Sequence, residues 1–348
     1  MQNSHETYMK RCLQLAANGL QTAMPNPSVG AVIVYNDVII GEGYTSAFGG
    51  NHAEVNAIHS VKDKSLLKDA TIYVSLEPCS HFGKTPPCSE FIIKHKIPKV
   101  VIGTIDPFAK VAGKGIARLQ DSGCQVTLGV LEAECKVSNK RFFTFHQHKR
   151  PYIILKWAET QDGFIDKIRH ENDPIQPNWI TNKFSRQLVH KWRSEEAAIL
   201  VGTNTAITDN PKLNTRDWHG KNPVRIVLDK SLRIPESYAL FDQTIKTIAL
   251  TEQLKENSEN IIFETIDFSK NIAEQICEVL YKHELQSVII EGGKQTLQTF
   301  IDSNLWDEAR IFKGNVQFQQ GIEAPKLEGN LQSEQTILDN SLYIFTND

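Results

Sequence analysis

Four residues in the first third of the chain have the types that zinc-dependent hydrolysis requires. His52 and Glu54 stand two positions apart, and Cys79 and Cys88 follow them. Zn2+ accepts one imidazole and two thiolates tetrahedrally, and three protein ligands leave the fourth position for water. Zinc lowers the pKa of that water toward about 7, which makes hydroxide available at neutral pH. The pattern predicts a catalytic zinc bound by His52, Cys79 and Cys88.

Glu54 is predicted to be the catalytic acid–base. From its position it could reach the water without binding the metal, take its proton and deliver it to a ring nitrogen and then to a leaving amine. His-x-Glu followed by Pro-Cys-x-x-Cys is the nucleobase deaminase signature. Here the two cysteines are further apart than in that signature. His-Ala-Glu also occurs by chance, so spacing alone leaves structural roles open.

The segment between the two cysteines is typical of a loop. Gly83, Pro86 and Pro87 would let the chain leave one ligand and return with the next. His81 lies in the same segment and is a rival ligand. The four other cysteines occur singly in helix-like or strand-like segments and are predicted to be structural: Cys12, Cys124, Cys135 and Cys277.

The composition is that of a globular protein of about two domains. Of the 348 residues, 40% are hydrophobic and 23% are charged. The net charge of −3 disfavours nucleic acid as a partner. No apolar run reaches about 18 residues, so no membrane helix is predicted. The first residues lack the features of a signal peptide, so the expected location is the cytoplasm, without disulfides.

Alternating elements in the first part predict an α/β layer sandwich that would position these residues. Val55, Ile58 and Val61 recur at helical spacing directly after His52. The other predicted elements are a helix at about His5–Leu20, a hairpin of Ala31–Tyr35 and Val38–Ile40, a strand at Thr71–Leu76, a helix near Ser89–His95 and a strand at Val100–Gly103.

A second α/β series follows a polar, basic stretch at residues 144–150, which predicts domains at 1–147 and 148–348. Helices are predicted at about Asn182–Arg193, Ile272–Lys282 and Lys294–Ile301. Strands are predicted at Tyr152–Lys156, Ala197–Val201, Val224–Leu228, Thr247–Leu250, Ile261–Phe263, Ser287–Ile290 and Arg310–Phe312.

A glycine pair in the second series could hold a phosphate. Gly292 and Gly293 follow the strand Ser287–Ile290 and precede a helix. Glycine allows close backbone approach, and a helix N-terminus attracts anions. No Gly-x-Gly-x-x-Gly follows a strand, so no Rossmann fingerprint is present. A plain turn is the alternative for the glycine pair.

Together these motifs resemble the bifunctional riboflavin-biosynthesis enzyme over nearly the whole chain. The most specific match joins His-Ala-Glu at 52–54 to Glu-Pro-Cys-Ser-His-x-Gly-Lys-Thr-Pro-Pro-Cys at 77–88. Weaker motifs follow in the family's order, among them Lys-Trp-Ala at 156–158, Trp-Ile-Thr at 179–181, Asp-Asn-Pro at 209–211 and Glu-Gly-Gly at 291–293. The resemblance implies a cytidine-deaminase-like three-layer domain followed by a dihydrofolate-reductase-like α/β domain.

The resemblance implies two reactions on a pyrimidine ribose phosphate. The first is hydrolytic deamination of 2,5-diamino-6-(ribosylamino)-4(3H)-pyrimidinone 5′-phosphate. The second is reduction of the ribose by NADPH, which gives 5-amino-6-(ribitylamino)uracil 5′-phosphate. The implied cofactors are Zn2+ and NADPH, the implied partner is this small-molecule substrate, and the implied assembly is a homo-oligomer.

The resemblance also implies site residues. In the deaminase, Asn26, Lys84 and Asp106 would contact the substrate. In the reductase, substrate would meet Lys156, Arg193, Leu213, Arg216 and Glu291. NADP would meet Ala158, Trp179, Thr205, Asp209, Gly293, Lys294, Gln295, Thr296, Leu297, Gln298 and Thr299.

The sequence departs from the family's pattern near the deaminase substrate. Thr45 stands where the family commonly has His, and Phe108-Ala109 stands where it commonly has Asn-Pro. We therefore expect deaminase turnover that is weaker than, or tuned differently from, the family's usual turnover. Two alternatives remain from the sequence. One is a deaminase of another nucleobase, or of tRNA, with a non-catalytic C-terminal domain, and the other is a zinc-stabilised binding module with a closed four-ligand site.

Overall fold

The computed structural model describes residues 2–80, 86–108, 112–169 and 178–347, with side chains from residue 4 onward. The chain divides into two compact units, Met1–Lys149 and Arg150–Asp348. Each unit has its own main β-sheet and its own buried apolar clusters. None of the helices described is long and apolar enough to cross a bilayer.

The first unit contains six helices and five strands among its described residues, together with a short 3-10 turn at Lys64–Asp69. In chain order they are α1 (Gln2–Gly19), β1 (Gly30–Tyr35), β2 (Val38–Tyr44), α2 (Ala53–Ser60), β3 (Thr71–Leu76), α3 (Cys88–Lys94), β4 (Lys99–Thr104), α4 (Lys114–Asp121), β5 (Gln125–Leu128), α5 (Glu132–Ser138) and α6 (Lys140–His148).

These elements form three layers, with helices on both faces of one sheet. The strand order is β2-β1-β3-β4-β5, in which β1 runs antiparallel to β2 and β3, while β3, β4 and β5 are parallel. Neighbouring residues of a strand point to opposite faces. Val32 therefore packs in a cluster with Met9 of α1, and Ile33 packs in a cluster with Ile58 of α2. The predicted α/β layer sandwich is confirmed.

The polar, basic stretch at residues 144–150 is helical for most of its length. Helix α6 continues to His148, and its side chains Phe142, Phe143 and Phe145 are buried. Burial of apolar surface stabilises by about 25 cal/mol per Å². Burial of the three phenylalanine side chains therefore stabilises the helix, although the residues around them are polar. The two units divide after Lys149, two residues beyond the predicted boundary.

The second unit contains the remaining elements, together with a 3-10 turn at Ala239–Phe241. They are β6 (Tyr152–Glu159), β7 (Phe164–Asp166), α7 (Lys183–Glu195), β8 (Ala198–Val201), α8 (Thr203–Asp209), β9 (Val224–Leu228), β10 (Thr247–Thr251), β11 (Ile261–Thr265), α9 (Ile272–Lys282), β12 (Ser287–Ile290), α10 (Lys294–Asp302), β13 (Glu308–Lys313), β14 (Ile322–Glu323), β15 (Asn330–Ile337) and β16 (Asn340–Thr346).

The large sheet of the second unit has the strand order β11-β10-β9-β8-β12-β6-β13-β16-β15. The first seven strands in this order are parallel, and the pairs β13–β16 and β16–β15 are antiparallel. Strands β7 and β14 form a separate pair. Ligands of open α/β sheets bind outside the carboxyl ends of the strands. This edge is therefore where a site is expected.

Candidate functional site

Three local structures bring the predicted zinc ligands together. His52 is the residue that precedes α2, Cys79 lies in the loop after β3, and Cys88 is the first residue of α3. The Cys88 amide donates to Cys79 Sγ at 3.3 Å. The Ser89 amide donates to the Cys79 carbonyl at 3.1 Å. These two bonds join both ends of the cysteine loop, whose residues 81–85 lie outside the described part of the chain.

The distances between the donor atoms fit a zinc ion. His52 Nδ1 lies 3.6 Å from Cys79 Sγ and 3.3 Å from Cys88 Sγ. Tetrahedral zinc with ordinary Zn–N and Zn–S bonds places nitrogen and sulfur about 3.6 Å apart. Within the described part of the chain, no fourth His, Cys, Asp or Glu joins this group. The arrangement is therefore that of a metal centre with three protein ligands.

Hydrogen bonds among His52, Cys79 and Cys88 shift the pKa values of these three side chains. The bond from Cys88 holds the pKa of the Cys79 thiol well below its usual value, and His52 adds to this effect. The same bond, together with burial, raises the pKa of Cys88. The Cys79 bond raises the pKa of His52 to about 9. Metal binding requires thiolates and a neutral imidazole, so it releases protons from this group.

Glu54 lies beside the three ligands in the first turn of α2. Its side chain is buried, with 4% of the residue exposed. Burial raises the pKa of its carboxyl to about 7, and nearby His52 opposes this rise. The carboxyl also interacts with Cys79 and Cys88. A buried carboxyl group in this position can accept and return a proton.

The structure describes two of the three residues predicted to contact the deaminase substrate. Asn26 is half-buried in the turn before β1, where its backbone amide donates to the Ala23 carbonyl at 2.9 Å. Asp106 is buried just after β4, and this burial raises its pKa to about 6. Lys84, like the rival ligand His81, lies outside the described residues.

The residues that depart from the family's pattern have contacts within the first unit. Thr45 is buried, and its hydroxyl oxygen accepts from the Val29 amide at 3.0 Å. The Phe108 amide donates to Asp106 Oδ1 at 2.8 Å, and its ring centroid lies 4.9 Å from that of His146. Ala109 lies outside the described residues. The effect of these residues on turnover remains a prediction.

Sequence reasoning gave no role to Glu77, which holds the metal-site loop in place. Its buried carboxylate accepts four backbone amides: those of Asp106 at 3.3 Å, Gly113 at 2.9 Å, Gly115 at 2.9 Å and Ile116 at 3.3 Å. Gly115 has no room for a side chain, because a Cβ there would lie 2.0 Å from the Pro78 carbonyl oxygen. Glu77 thus fixes the start of α4 against the segment that carries Cys79.

We expect Glu77→Gln to lower the free energy of unfolding by about 2–4 kcal/mol. Hydrogen bonds to charged groups are worth about 1.5–3 kcal/mol, and the new amide turns a donor toward amides that need an acceptor. Thermal unfolding of the metal-loaded protein measures the change. The control is Glu90→Gln, which removes a surface pair with Arg118 and should cost less than about 1 kcal/mol. Equal effects of the two variants would contradict this role.

The second unit has a cavity of about 730 Å³ at the carboxyl edge of its parallel strands. Basic side chains outnumber acidic ones in its lining, which suits a phosphorylated ligand. Most of the residues predicted for the reductase line this cavity: Lys156, Ala158, Trp179, Arg193, Thr205, Asp209, Arg216, Glu291, Gly293, Lys294, Gln295, Thr296, Leu297 and Thr299.

Two of the predicted reductase residues do not line the cavity. Leu213 is 2% exposed, and its side chain packs in an apolar cluster with residues of β8 and β9. A buried leucine contributes more by packing than it would beside a phosphate. Gln298 instead donates to Asp302 Oδ1 at 2.7 Å and to the Lys326 carbonyl at 3.4 Å on the surface. The predicted binding of ligands by these two residues remains a prediction.

The glycine pair packs closely against neighbouring residues at the turn before α10. A Cβ on Gly292 would lie 2.9 Å from Val201 Cβ, and one on Gly293 would lie 3.2 Å from Thr205 Oγ1. Gly293 also has a φ of +67°, which disfavours other residues. Helix α10 begins at Lys294, so its N-terminal amides lie at this turn. The turn has the form of a phosphate cradle.

Glu291 is the centre of a buried charge cluster in the cavity. Arg193 binds its carboxylate through two bonds, from Nε at 3.1 Å and from Nη2 at 2.6 Å. Lys156 Nζ lies 3.9 Å from the same carboxylate. Burial lowers the pKa of Lys156, whereas both cations hold the pKa of Glu291 at about 2 against the effect of burial. The cluster can hold or move a proton at a bound ligand.

Sequence reasoning missed two cavity residues that support predicted ones. Arg169 Nη2 donates to Asp209 Oδ1 at 3.1 Å. The Arg186 guanidinium lies 4.2 Å from the ring centroid of Trp179, within cation–π range. Both arginines are brought to their partners by the fold, so no local motif could have identified them.

Comparisons with known proteins agree with the motifs and with both units. Residues 2–104 match the cytidine and deoxycytidylate deaminase zinc-binding region, and residues 151–316 match the RibD C-terminal domain. The riboflavin biosynthesis protein RibD of Aquifex aeolicus is 39% identical over 88% of this chain and 86% of its own length. The RibD protein of Synechocystis is 37% identical over 94% of this chain and 86% of its own length.

Solved structures of related proteins also superimpose on nearly the whole of this chain. A deaminase/reductase of Thermotoga maritima, described as a diaminohydroxyphosphoribosylaminopyrimidine deaminase and 5-amino-6-(5-phosphoribosylamino)uracil reductase, superimposes with a TM-score of 0.89 at 36% identity, covering 99% of both chains. Acinetobacter baumannii RibD superimposes with a TM-score of 0.89 at 29% identity, also covering 99% of both chains. The resemblance inferred from the motifs is confirmed: this chain belongs to the family of the riboflavin biosynthesis protein RibD.

Proposed function

We propose that this chain catalyses two successive reactions of riboflavin biosynthesis. The first removes the 2-amino group of 2,5-diamino-6-(ribosylamino)-4(3H)-pyrimidinone 5′-phosphate. The second reduces the ribose and gives 5-amino-6-(ribitylamino)uracil 5′-phosphate. Zn2+ and NADPH are the cofactors implied by the two matched domains. The observation that carries the proposal is the three-ligand metal centre of the first unit, with the buried Glu54 beside it.

In the deaminase unit, His52, Cys79 and Cys88 would hold zinc, which supplies a water of lowered pKa when bound. Glu54 takes a proton from the water that attacks the ring carbon and passes it to the pyrimidine ring nitrogen. It then passes the second proton of that water to the amino group, which departs as ammonia when its bond to the carbon breaks and the carbonyl forms. The burial of Glu54 excludes bulk water from this transfer. Asn26 and Asp106 are the described residues that we propose orient the ring.

In the reductase unit, NADPH supplies the hydride that reaches C1′ of the opened ribose when the cofactor is bound. Lys156 and Glu291 line the cavity with side chains that are 15% and 8% exposed, so Glu291 is placed to hold a ribose hydroxyl and Lys156 to move its proton. The turn at Gly293, where helix α10 begins, would hold the cofactor's diphosphate.

The two arginines predicted to bind the substrate phosphate have different surroundings. The guanidinium of Arg193 is committed to Glu291 and to the Asn214 carbonyl, which accepts from Nη1 at 3.2 Å. Arg216 is 44% exposed at its side chain, and its nearest carboxylate is Asp217 at 3.9 Å. We propose that Arg216 binds the phosphate and that Arg193 orients Glu291.

Arg216→Ala is expected to raise KM for the reductase substrate about 10- to 100-fold and to leave deamination unchanged. The variant loses charged hydrogen bonds to the phosphate, each worth about 1.5–3 kcal/mol. Steady-state kinetics of both reactions measure the effect. Lys212→Ala removes an exposed cation outside the cavity lining and is the matched control. An unchanged KM would remove Arg216 from the phosphate site.

The proposed function is tested by turnover of the purified protein on the diaminopyrimidinone phosphate with and without NADPH. We expect ammonia release without NADPH, and oxidation of one NADPH per ammonia when the cofactor is added. Ammonia release without any NADPH oxidation would favour the alternative of a deaminase with a non-catalytic C-terminal domain. Absence of both activities would favour a zinc-stabilised binding module.

We further propose a cytoplasmic homo-oligomer. The reducing cytoplasm would keep Cys79 and Cys88 out of disulfides, as they are in the structure, and only reduced cysteines can give the thiolates that zinc binding requires. The oligomer rests on the family resemblance, and sedimentation of the purified protein would test it.

A further inference from the structure

We propose that His190 takes up a proton when the phosphorylated substrate of the second unit binds, and that it thereby releases Arg216 for the substrate phosphate. The inference rests on the proposed reductase function and adds a positioning residue that makes phosphate binding depend on pH. His190 lies on α7, is 3% exposed and lines the cavity. The contacts of its ring and the charges around it carry the argument.

Both ring nitrogens of His190 face oxygen atoms that accept hydrogen bonds. Nδ1 lies 3.0 Å from the Asn214 carbonyl oxygen, and Nε2 lies 3.3 Å from Asp217 Oδ2. The backbone amide of Arg216 is a longer contact, at 3.4 Å from Nδ1. A neutral imidazole has one N–H group, whereas an imidazolium has two. Only the protonated ring therefore has a hydrogen for Asn214 and for Asp217 at the same time.

The protein's own charges oppose this second proton. Burial lowers the pKa of His190 to about 4, and the positive charges of Arg193 and Arg216 add to this fall. Asp217 and Glu291 act in the opposite direction without compensating for it. These charged groups face His190 from α7 itself, from the segment before β9 and from the end of β12. Together they leave the ring neutral at neutral pH.

Asp217 is shared between His190 and Arg216. Arg216 Nε lies 3.9 Å from the same carboxylate oxygen that faces His190 Nε2. The side chains of Arg216 and Asp217 are 44% and 55% exposed, so their ion pair contributes little. A charged imidazolium would hold the carboxylate by a shorter, charge-assisted hydrogen bond. Arg216 would then turn from Asp217 to the phosphate.

A bound phosphate supplies the negative charge that favours the second proton. A phosphate monoester carries a charge of about −1.5 to −2 at neutral pH. When Arg216 binds it, the phosphate offsets one of the two cations that oppose protonation, and a nearby anion raises the pKa of a histidine. Phosphate and proton therefore favour each other. By thermodynamic linkage, the substrate then binds more tightly at the pH values at which His190 is charged.

The test is calorimetric titration of the full-length protein with 5-amino-6-(5-phosphoribosylamino)uracil, without NADPH, in buffers of different ionisation enthalpy. The same compound without its phosphate is the control ligand. If the bound phosphate returns the pKa of His190 to the ordinary value of about 6.5, binding at pH 6 takes up about 0.5–1 proton at this residue. Binding at pH 8 takes up almost none, and the affinity is about 3- to 5-fold lower than at pH 6 for this reason alone.

His190→Gln keeps a side chain that forms hydrogen bonds but removes the proton uptake. The phosphate's own exchange of protons is common to the variant and the wild type, so the difference between them reports on His190. Asp217→Asn, at an exposed position, removes the shared carboxylate and should reduce both the proton uptake and the pH dependence of the affinity. His219→Gln is the matched control, since it changes an exposed histidine of the same segment outside the cavity lining and should behave as the wild type.

The outcomes separate this inference from the function on which it rests. Equal proton uptake by the wild type and His190→Gln would overturn the inference and leave the reductase intact. Equal uptake with the ligand that lacks the phosphate would also overturn it, as would wild-type pH dependence in Asp217→Asn, which decides the matter even if His190→Gln does not fold. A wild-type protein that binds neither compound would overturn the proposed reductase function, and this inference with it.

Discussion

Glu54→Gln is expected to lower kcat of deamination about 10²- to 10⁴-fold while zinc remains bound. The substitution keeps the size of the side chain in its buried site but removes a group that can carry a proton. Positioned acid–base groups contribute about 10²- to 10⁴-fold to reaction rates. Ammonia release under substrate saturation measures the loss, and metal analysis of the same sample measures the retained zinc.

Reduction of the already deaminated substrate by Glu54→Gln should be unchanged, because the described residues that line the reductase cavity all belong to the second unit. Glu134→Gln, on the exposed surface of α5, is the matched control and should deaminate at the wild-type rate. Deamination by Glu54→Gln at more than about a tenth of the wild-type rate would show that another group carries the proton.

Cys88→Ser is expected to reduce zinc affinity by more than about 100-fold and to abolish deamination with it. Loss of residues that only support a metal ligand already costs about 10- to 100-fold in affinity, so loss of a ligand should cost more. Cys88 is 1% exposed at the start of α3, where its amide also anchors Cys79. Competition with a chromophoric chelator measures the affinity.

Cys124→Ser provides the control for Cys88→Ser. Cys124 is a half-buried thiol of the same unit whose Sγ donates to the Ile97 carbonyl at 3.4 Å, and it lies outside the metal group. This variant should bind zinc as the wild type does. Wild-type zinc content in Cys88→Ser, or equal loss in both variants, would contradict the assigned ligand set.

The parts of the fold that the sequence predicts well are buried runs of apolar residues. The predicted bounds of β9, β12 and α9 agree with the structure, because strands buried on both faces have continuous apolar sequences and α9 has a helical apolar period. Strand β15 was not predicted, since it lies at the sheet edge and most of its side chains are exposed. Strand β15 forms a hairpin with β16 through backbone pairing, and such pairing does not require an apolar pattern in β15.

The metal ligands could be predicted because zinc chemistry restricts residue type and spacing at once. The role of Glu77 could not, since its partners are backbone amides at Asp106 and residues 113–116, and any residue type supplies those. The engagement of Arg193 by Glu291, 98 positions away, likewise depends on the tertiary fold. The packing of Leu213 in an apolar cluster could not be predicted either, because a motif carries no information about which way a side chain turns.

The most direct test of the proposed metal centre is zinc-edge X-ray absorption of the purified protein with its metal bound. We predict one zinc per chain with two sulfur ligands at about 2.3 Å and two nitrogen or oxygen ligands at about 2.0–2.1 Å. One of the two nitrogen or oxygen ligands should be replaced when a substrate analogue is added, because a catalytic zinc has an open coordination position. A third sulfur, or a fourth ligand that no analogue displaces, would contradict a catalytic metal centre formed by His52, Cys79 and Cys88.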